Sequence, residues 1–151
     1  MKLSEILIII IFGILTALAF PRFNLSFFIW FSLIPLLFLS MKKSPGKAFW
    51  LGLLGGIGFN ALLIYWIPYV PAHYGDLPLL LSLAIYLLFV FYLSLYWALF
   101  SYITSYVGSV FAKEILFLAP FFWLSLEYIL SHFLTGFPWG LLGYTQHQNI
   151  Y

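Results

Sequence analysis

Apolar residues run through this chain in long blocks, and the polar residues fall between the blocks rather than alternating within them. The first block, Leu3 to Phe20, is closed by Pro21-Arg22 and Asn24. The second, Leu25 to Met41, is closed by Lys42, Lys43, Ser44-Pro45-Gly46 and Lys47. A third covers 48–67 and ends at Pro68 and Pro71, and the stretch to Pro78, with His73, Gly75 and Asp76, reads as a loop. The fourth begins at Leu79 and is diluted beyond Phe100 by Ser101, Thr104, Ser105, Gly108 and Ser109, ahead of Lys113-Glu114. The fifth covers 115–134. Proline, glycine and charge are the usual helix-ending signals. The pattern therefore predicts helices over 3–20, 25–41, 48–67, 79–103 and 115–134.

Blocks that are apolar on every side point to lipid as the surrounding medium. Only a helix satisfies its peptide groups within one segment there, and the strict alternation of a barrel strand is missing. The first two blocks are short. A helix of about 17 residues reaches roughly 26 Å against a hydrocarbon core of about 30 Å, which implies local thinning or snorkelling lysines.

Composition agrees: 65% of the 151 residues are hydrophobic and 7% charged, and the mean hydropathy is +1.10. A soluble domain carries about 25% charged residues. The predicted fold class is thus all-α, a polytopic transmembrane helix bundle with about five membrane-spanning helices. The net charge of +2 is small and scattered, which excludes a nucleic-acid partner, since such a surface needs a clustered basic stripe. Basic loops stay on the cytoplasmic side. Lys2, Lys42, Lys43, Lys47 and Lys113 therefore place the amino terminus in the cytoplasm, with Arg22 and everything from residue 135 onward on the outer side. Lys2, the run Ile6 to Leu15 and Ala17-Leu18-Ala19 also fit a cleavable signal peptide; a start at Phe20 would leave four crossings.

Several motifs carry a family resemblance. The most specific is TGFPWGLLGYTQ at 135–146, because lipid solubility does not demand Pro138 beside Trp139. LAFPRFN at 18–24, LIPLL at 33–37, YWI at 65–67, YLSLYWALF at 92–100 and LAPFFWLSLEY at 118–128 precede it in order. The chain resembles the bacterial apolipoprotein N-acyltransferases, with Thr145 a conservative departure from their Gly-Tyr-Ser-Gln. Leu130 stands where members often have an arginine. The resemblance implies an enzyme of the bacterial inner membrane that moves an acyl chain from a membrane phospholipid to the amino-terminal cysteine of a diacylated lipoprotein. It also implies two parts, a membrane bundle and an outer nitrilase-like domain with a Glu-Lys-Cys triad. Residues 1–151 resemble only the amino-terminal transmembrane domain, and the carboxy-terminal nitrilase-like catalytic domain is absent from them. The chain holds no cysteine, hence no thiol nucleophile or disulfide. No catalytic residue is assigned, and the chain alone is expected to be inactive: a fragment, a truncated product or one half of a split enzyme whose partner is a separate nitrilase-like half. A competing class is a non-catalytic membrane scaffold or a transporter-like subunit.

Within the bundle two buried polar residues stand out. A carboxyl such as Glu127 at a helix centre costs about 2.5–3.5 kcal/mol on insertion, which an apolar helix can bear. It reads either as a contact for a polar substrate group or neighbouring domain, or as a hydrogen bond to another helix. His132, five residues on, points away from it. Asn60 shares four-residue spacing with Gly52 and Gly56, with Gly55 and Gly58 nearby, so this face suits close helix packing or a gap for a lipid chain. Tyr86, Phe89, Tyr96 and Phe100 recur at helical spacing as core aromatics. The segment around Gly136, Phe137, Pro138, Trp139, Tyr144 and Gln146 breaks helix and places aromatics at headgroup depth. It reads as an interfacial loop, either a wall of the lipid entry route or an aromatic anchor. His73, Asp76 and His147 do not make a metal site, which draws on four well-spaced ligands, and no cofactor is implied.

Overall fold

The computed structural model describes residues 1–147, and over them the chain is helical without a strand. Helix α1 is Leu3–Leu18. A single 3-10 turn, Ser26–Phe28, leads into α2, Ile29–Ser32, and α3, Ile34–Met41. Then come α4 (Pro45–Leu63), α5 (Tyr69–Tyr74), α6 (Leu79–Gly108) and α7 (Ile115–His132). The 3-10 turns Phe133–Thr135, Pro138–Gly140 and Leu142–Gln146 follow. Residues 148–151, the end of the segment expected on the outer side, lie outside the described residues.

Proline sets several of these boundaries. Pro45 opens α4, where its missing N–H is no loss. The predicted helix 25–41 is broken at Leu33, because Pro35 has no N–H for the Phe31 carbonyl. The predicted loop before Pro78 contains α5, which closes on the Pro71 carbonyl through Gly75 N–H at 3.2 Å. Helix α6 runs past the expected end near residue 103 to Gly108. Its dilute polar end is turned inward: Ser101, Thr104 and Ser105 are all buried.

Among the described residues, three helical stretches are long and apolar enough to cross a bilayer: Pro45–Leu63, Leu79–Gly108 and Ile115–Thr135. Leu3–Leu18 and Ser26–Met41 are shorter apolar helices. The polarity of the bundle is that of a membrane protein. Leu80, Leu88 and Phe117 are 81%, 70% and 72% exposed on the outside, while Asn60, Ser82, Ser94 and Ser101 are buried within. Lipid competes poorly for hydroxyl and amide groups, so these gather between helices.

Helix α4 is the centre, with 44% of its most apolar window buried against 11% for α7. Its glycines make this possible on two sides. A Cβ at Gly52 would strike the Trp97 carbonyl and Ser101, and one at Gly56 would lie 2.9 Å from the Ser94 Cα, so this side holds α6 at backbone contact. On the other side, a Cβ at Gly55 would meet Ile9 at 2.8 Å, one at Gly58 would meet the Ile10 carbonyl at 2.9 Å, and one at Gly13 of α1 would strike the Gly55 carbonyl. Around this axis Ile9, Leu51, Phe59, Trp97 and Phe100 form the main apolar core. At the lysine-rich end, Lys43 Nζ pairs with Glu5 at 2.7 Å. The Lys43 carbonyl accepts the Ser105 hydroxyl at 2.6 Å, so one residue ties α1 and α6 to the α3–α4 turn.

Candidate functional site: a returning segment latched to Glu127

Helix α7 ends in a reversal. Leu134, Thr135 and Gly136 have φ values of 48°, 74° and 77°, all left-handed. A Cβ at Gly136 would strike the Ser131 carbonyl, which is why glycine stands at this tight point. Phe137 N–H donates to the Leu130 carbonyl at 2.9 Å, and the chain turns back along α7. Leu142 N–H then donates to Glu127 Oε1 at 2.7 Å. Glu127 precedes the last residue of α7, His132, by five residues, or about 7.5 Å along the axis. The segment from Gly136 to Gln146 is therefore a strap folded back along α7. Its far end is tied to the α1–α2 connection, where Gln146 Nε2 donates to the Ser26 carbonyl at 3.2 Å.

This geometry accounts for the carboxyl. Irregular backbone at membrane depth is tolerated only where protein satisfies its peptide groups, and Glu127 does so for Leu142. Among the described residues, the hydrogen-bond partner of its carboxyl is the strap's Leu142 amide. One turn earlier on α7 stands Trp123, whose buried indole N–H lies beside the Glu127 carboxyl without meeting hydrogen-bond geometry.

Glu127 and Trp123 form a partition between two spaces. On one side is a small, partly open cavity of about 30 Å³ among Asn60, Tyr96, Trp97, Leu130 and Phe137. At roughly 10–15 Å³ for each water centre it holds about two waters. On the other side is an open groove of about 360 Å³ between α3, α6, α7 and the strap, lined by Leu33, Leu37, Phe100, Pro120, Leu142 and Gly143. Its wall is almost wholly apolar, and its volume matches the size of ordinary small-molecule sites.

The other expected residues fall around this partition. Asn60 Nδ2 donates to the Gly56 carbonyl at 2.9 Å and to Ser94 Oγ at 3.3 Å, so its amide works in α4–α6 packing while its side chain borders the cavity. Phe137 plugs the cavity's end and packs edge-on against Phe89, ring centres 4.7 Å apart. Pro138 begins the next turn. Trp139 is 60% exposed and stands 5.4 Å from the Trp66 ring; Tyr144 is also exposed. Leu130, in the arginine position, packs into the apolar cluster of Ile64, Val90 and Leu93. The histidines lie apart from the partition: His132 Nδ1 sits 2.8 Å from the Tyr128 carbonyl, His147 Nδ1 3.0 Å from the Tyr144 carbonyl, and His73 stacks on Tyr69 at 4.8 Å. Sequence reasoning missed Trp123, Pro120 and the Leu142 amide. Trp123 was within reach, since it lies four residues before Glu127 on one helix face.

Fold and site together define a helical membrane protein with an open apolar groove beside a half-buried carboxyl. The sequence pattern of the family described as the apolipoprotein N-acyltransferase N-terminal domain matches residues 12–151, and the chain belongs to that family. Relatives agree with it. An apolipoprotein N-acyltransferase of Geobacter metallireducens is 37% identical over 146 residues, 97% of this chain and 28% of that protein. Those of Vibrio vulnificus and Coxiella burnetii are 35% and 34% identical over 138 and 139 residues, covering 89% and 91% of this chain. The chain thus spans between a quarter and a third of the length of these relatives, at 27–29%. None of them favours a scaffold or transporter.

Proposed function

We propose that this chain is the membrane-embedded part of an enzyme that transfers an acyl chain from a membrane phospholipid to the amino terminus of a diacylated lipoprotein. It lies in the bacterial inner membrane with its amino terminus in the cytoplasm and the strap toward the outer side. The bundle holds the enzyme in the bilayer, and the groove between α3, α7 and the strap is a lateral route by which the lipid reaches the reacting centre. The observation that carries this reading is the apolar groove opening beside Glu127, bordered by Leu142 and Gly143 of the strap, in a chain matched to the family over residues 12–151. The nucleophile, its base and its oxyanion donor come from a nitrilase-like part joined to or partnered with these residues. Without a cysteine, the 151 residues form no thioester and transfer no acyl group alone.

A chimera tests this. Residues 1–151 replace the matching segment of the Geobacter metallireducens protein in a strain depleted of its own N-acyltransferase. Growth and triacylated lipoproteins by mass spectrometry are expected. A chimera present in the membrane at normal level but leaving lipoproteins diacylated would overturn the reading, as would acylation of a lipoprotein peptide by the purified 151-residue chain.

A further inference from the structure

A second lipid-shaped feature lies on the α1 side of α4, away from the side that carries Asn60 and faces α6. The turn after α1 presents Arg22, whose guanidinium carbon sits 4.6 Å above the Tyr65 ring and 6.0 Å from the Phe23 ring. Both distances are within cation–π range. Among the described residues Arg22 has no ion pair and no hydrogen bond from its guanidinium, so the ring holds the cation in place while its fork of donors stays open. Beside it is a cleft of about 120 Å³ bordered by Phe23, Tyr65 and Trp66 and floored by Ala17 and Leu62. Leu62 is also in the wall of an apolar groove of about 400 Å³ between α1 and α4, past Ile14, Ile57 and Leu54. Gly58 and Ala61 also line this groove, Gly58 at the point where α1 approaches α4 through Ile10. From Leu54 to Leu62 the groove follows α4 for about 12 Å, close to the roughly 15 Å depth of one leaflet's hydrocarbon.

An unpaired guanidinium at one end, a tyrosine and a tryptophan at headgroup depth, and an apolar trough one leaflet long follow the polarity order of a glycerophospholipid. We propose that this site binds one such lipid, with its phosphate on Arg22 and an acyl chain in the α1–α4 groove. Charge complementarity chooses the occupant: a neutral diacylglycerol leaves the guanidinium without an anion, and free phosphate leaves the trough empty. Arginine suits the role because its planar fork matches phosphate oxygens two at a time. The site stands apart from acyl transfer, because none of its residues touches the Glu127 groove, and its lipid is a bound component rather than a substrate.

The test is native mass spectrometry of the purified 151-residue chain in a neutral detergent, titrated with phosphatidylglycerol, with diacylglycerol of the same chains, and with inorganic phosphate. The Glu127 groove is first blocked with Ile34→Trp, at an exposed position of its lining; in that background one retained phosphatidylglycerol is expected, with diacylglycerol and phosphate each about tenfold weaker or more, the scale of one charge-assisted hydrogen bond. Arg22→Gln should weaken phosphatidylglycerol by about tenfold and leave diacylglycerol unchanged. Ile57→Trp, at an exposed groove position, should weaken both lipids while circular dichroism stays that of the parent. Equal phosphatidylglycerol binding by Arg22→Gln, or by a folded Ile57→Trp, would overturn the proposal, as would phosphate binding as tight as the lipid.

Discussion

Glu127 accepts the amide hydrogen of Leu142 at 2.7 Å, joining the middle of α7 to a residue fifteen positions further along the chain. Two features that are each expensive in hydrocarbon, a carboxyl and a stretch of irregular backbone, offset one another at this contact. Neither would persist there alone.

The latch has a graded consequence on substitution. Glu127→Gln keeps an oxygen for the Leu142 amide and should stay within about 1 kcal/mol of the parent. Glu127→Leu leaves that amide without a partner and should cost about 1–3 kcal/mol. Reversible denaturation in mixed micelles measures both, and equal stability of the two variants would remove the latch from the account.

The glycines of α4 should respond oppositely according to place. At Gly52 a Cβ would run into the Trp97 carbonyl, whereas at Gly46 it would meet no atom within 4 Å. Gly52→Ala is expected to destabilise by about 1–3 kcal/mol through forced separation of α4 and α6. Gly46→Ala, on the first turn of the same helix, should stabilise by about 0.4–1 kcal/mol. The same micelle assay ranks them.

Left-handed backbone at the start of the strap makes another pair. Leu134 has φ 48° and ψ 53°, and 68% of it is exposed, so Leu134→Gly relieves strain at little packing cost. A gain of about 1 kcal/mol is expected. Gly136→Ala does the reverse, because its Cβ would collide with the Ser131 carbonyl. It should also loosen the strap, read as faster proteolysis between residues 134 and 142.

Trp139 tests the proposed lipid route from outside the groove lining. It is exposed and leans on Trp66 and Phe137, with ring centres 5.4 Å and 6.0 Å away. In the chimera, Trp139→Ala should raise the KM for phospholipid about fivefold, on the order of 1 kcal/mol of aromatic contact, at normal expression. An unchanged KM would leave Trp139 as an interfacial anchor only.

The helices were legible because lipid leaves the backbone no alternative. Blocks of Leu, Ile and Phe bounded by Pro21, Pro45, Pro68 and Pro78 led to helix ends within a few residues. The errors have local causes. Ser101, Thr104 and Ser105 dilute the fourth block and suggested a helix end near residue 103, yet the helix runs on to Gly108 with all three hydroxyls turned inward. Gly55 and Gly58 looked like neighbours of a single small face, whereas their partner is Gly13 and its surroundings on α1, a pairing that spacing along one helix does not reveal. At the site, Glu127 stood out by its charge and GFPW by its motif. What joins them is the amide of Leu142, a group carried by every residue but proline, and only the reversal at Leu134 to Gly136 brings it within reach.

The bare backbone on both flanks of α4 also assigns rigidity within the bundle. With α1 seated on Gly55 and Gly58 and α6 on Gly52 and Gly56, even a small rotation of α4 would swing Leu51 or Phe59 into a neighbour's main chain. Alpha helices 1, 4 and 6 thus form a fixed mast. The opening beside Glu127 is walled instead by α7 and the strap, which are far less buried in the bundle than α4, so its shape depends on the Glu127–Leu142 latch.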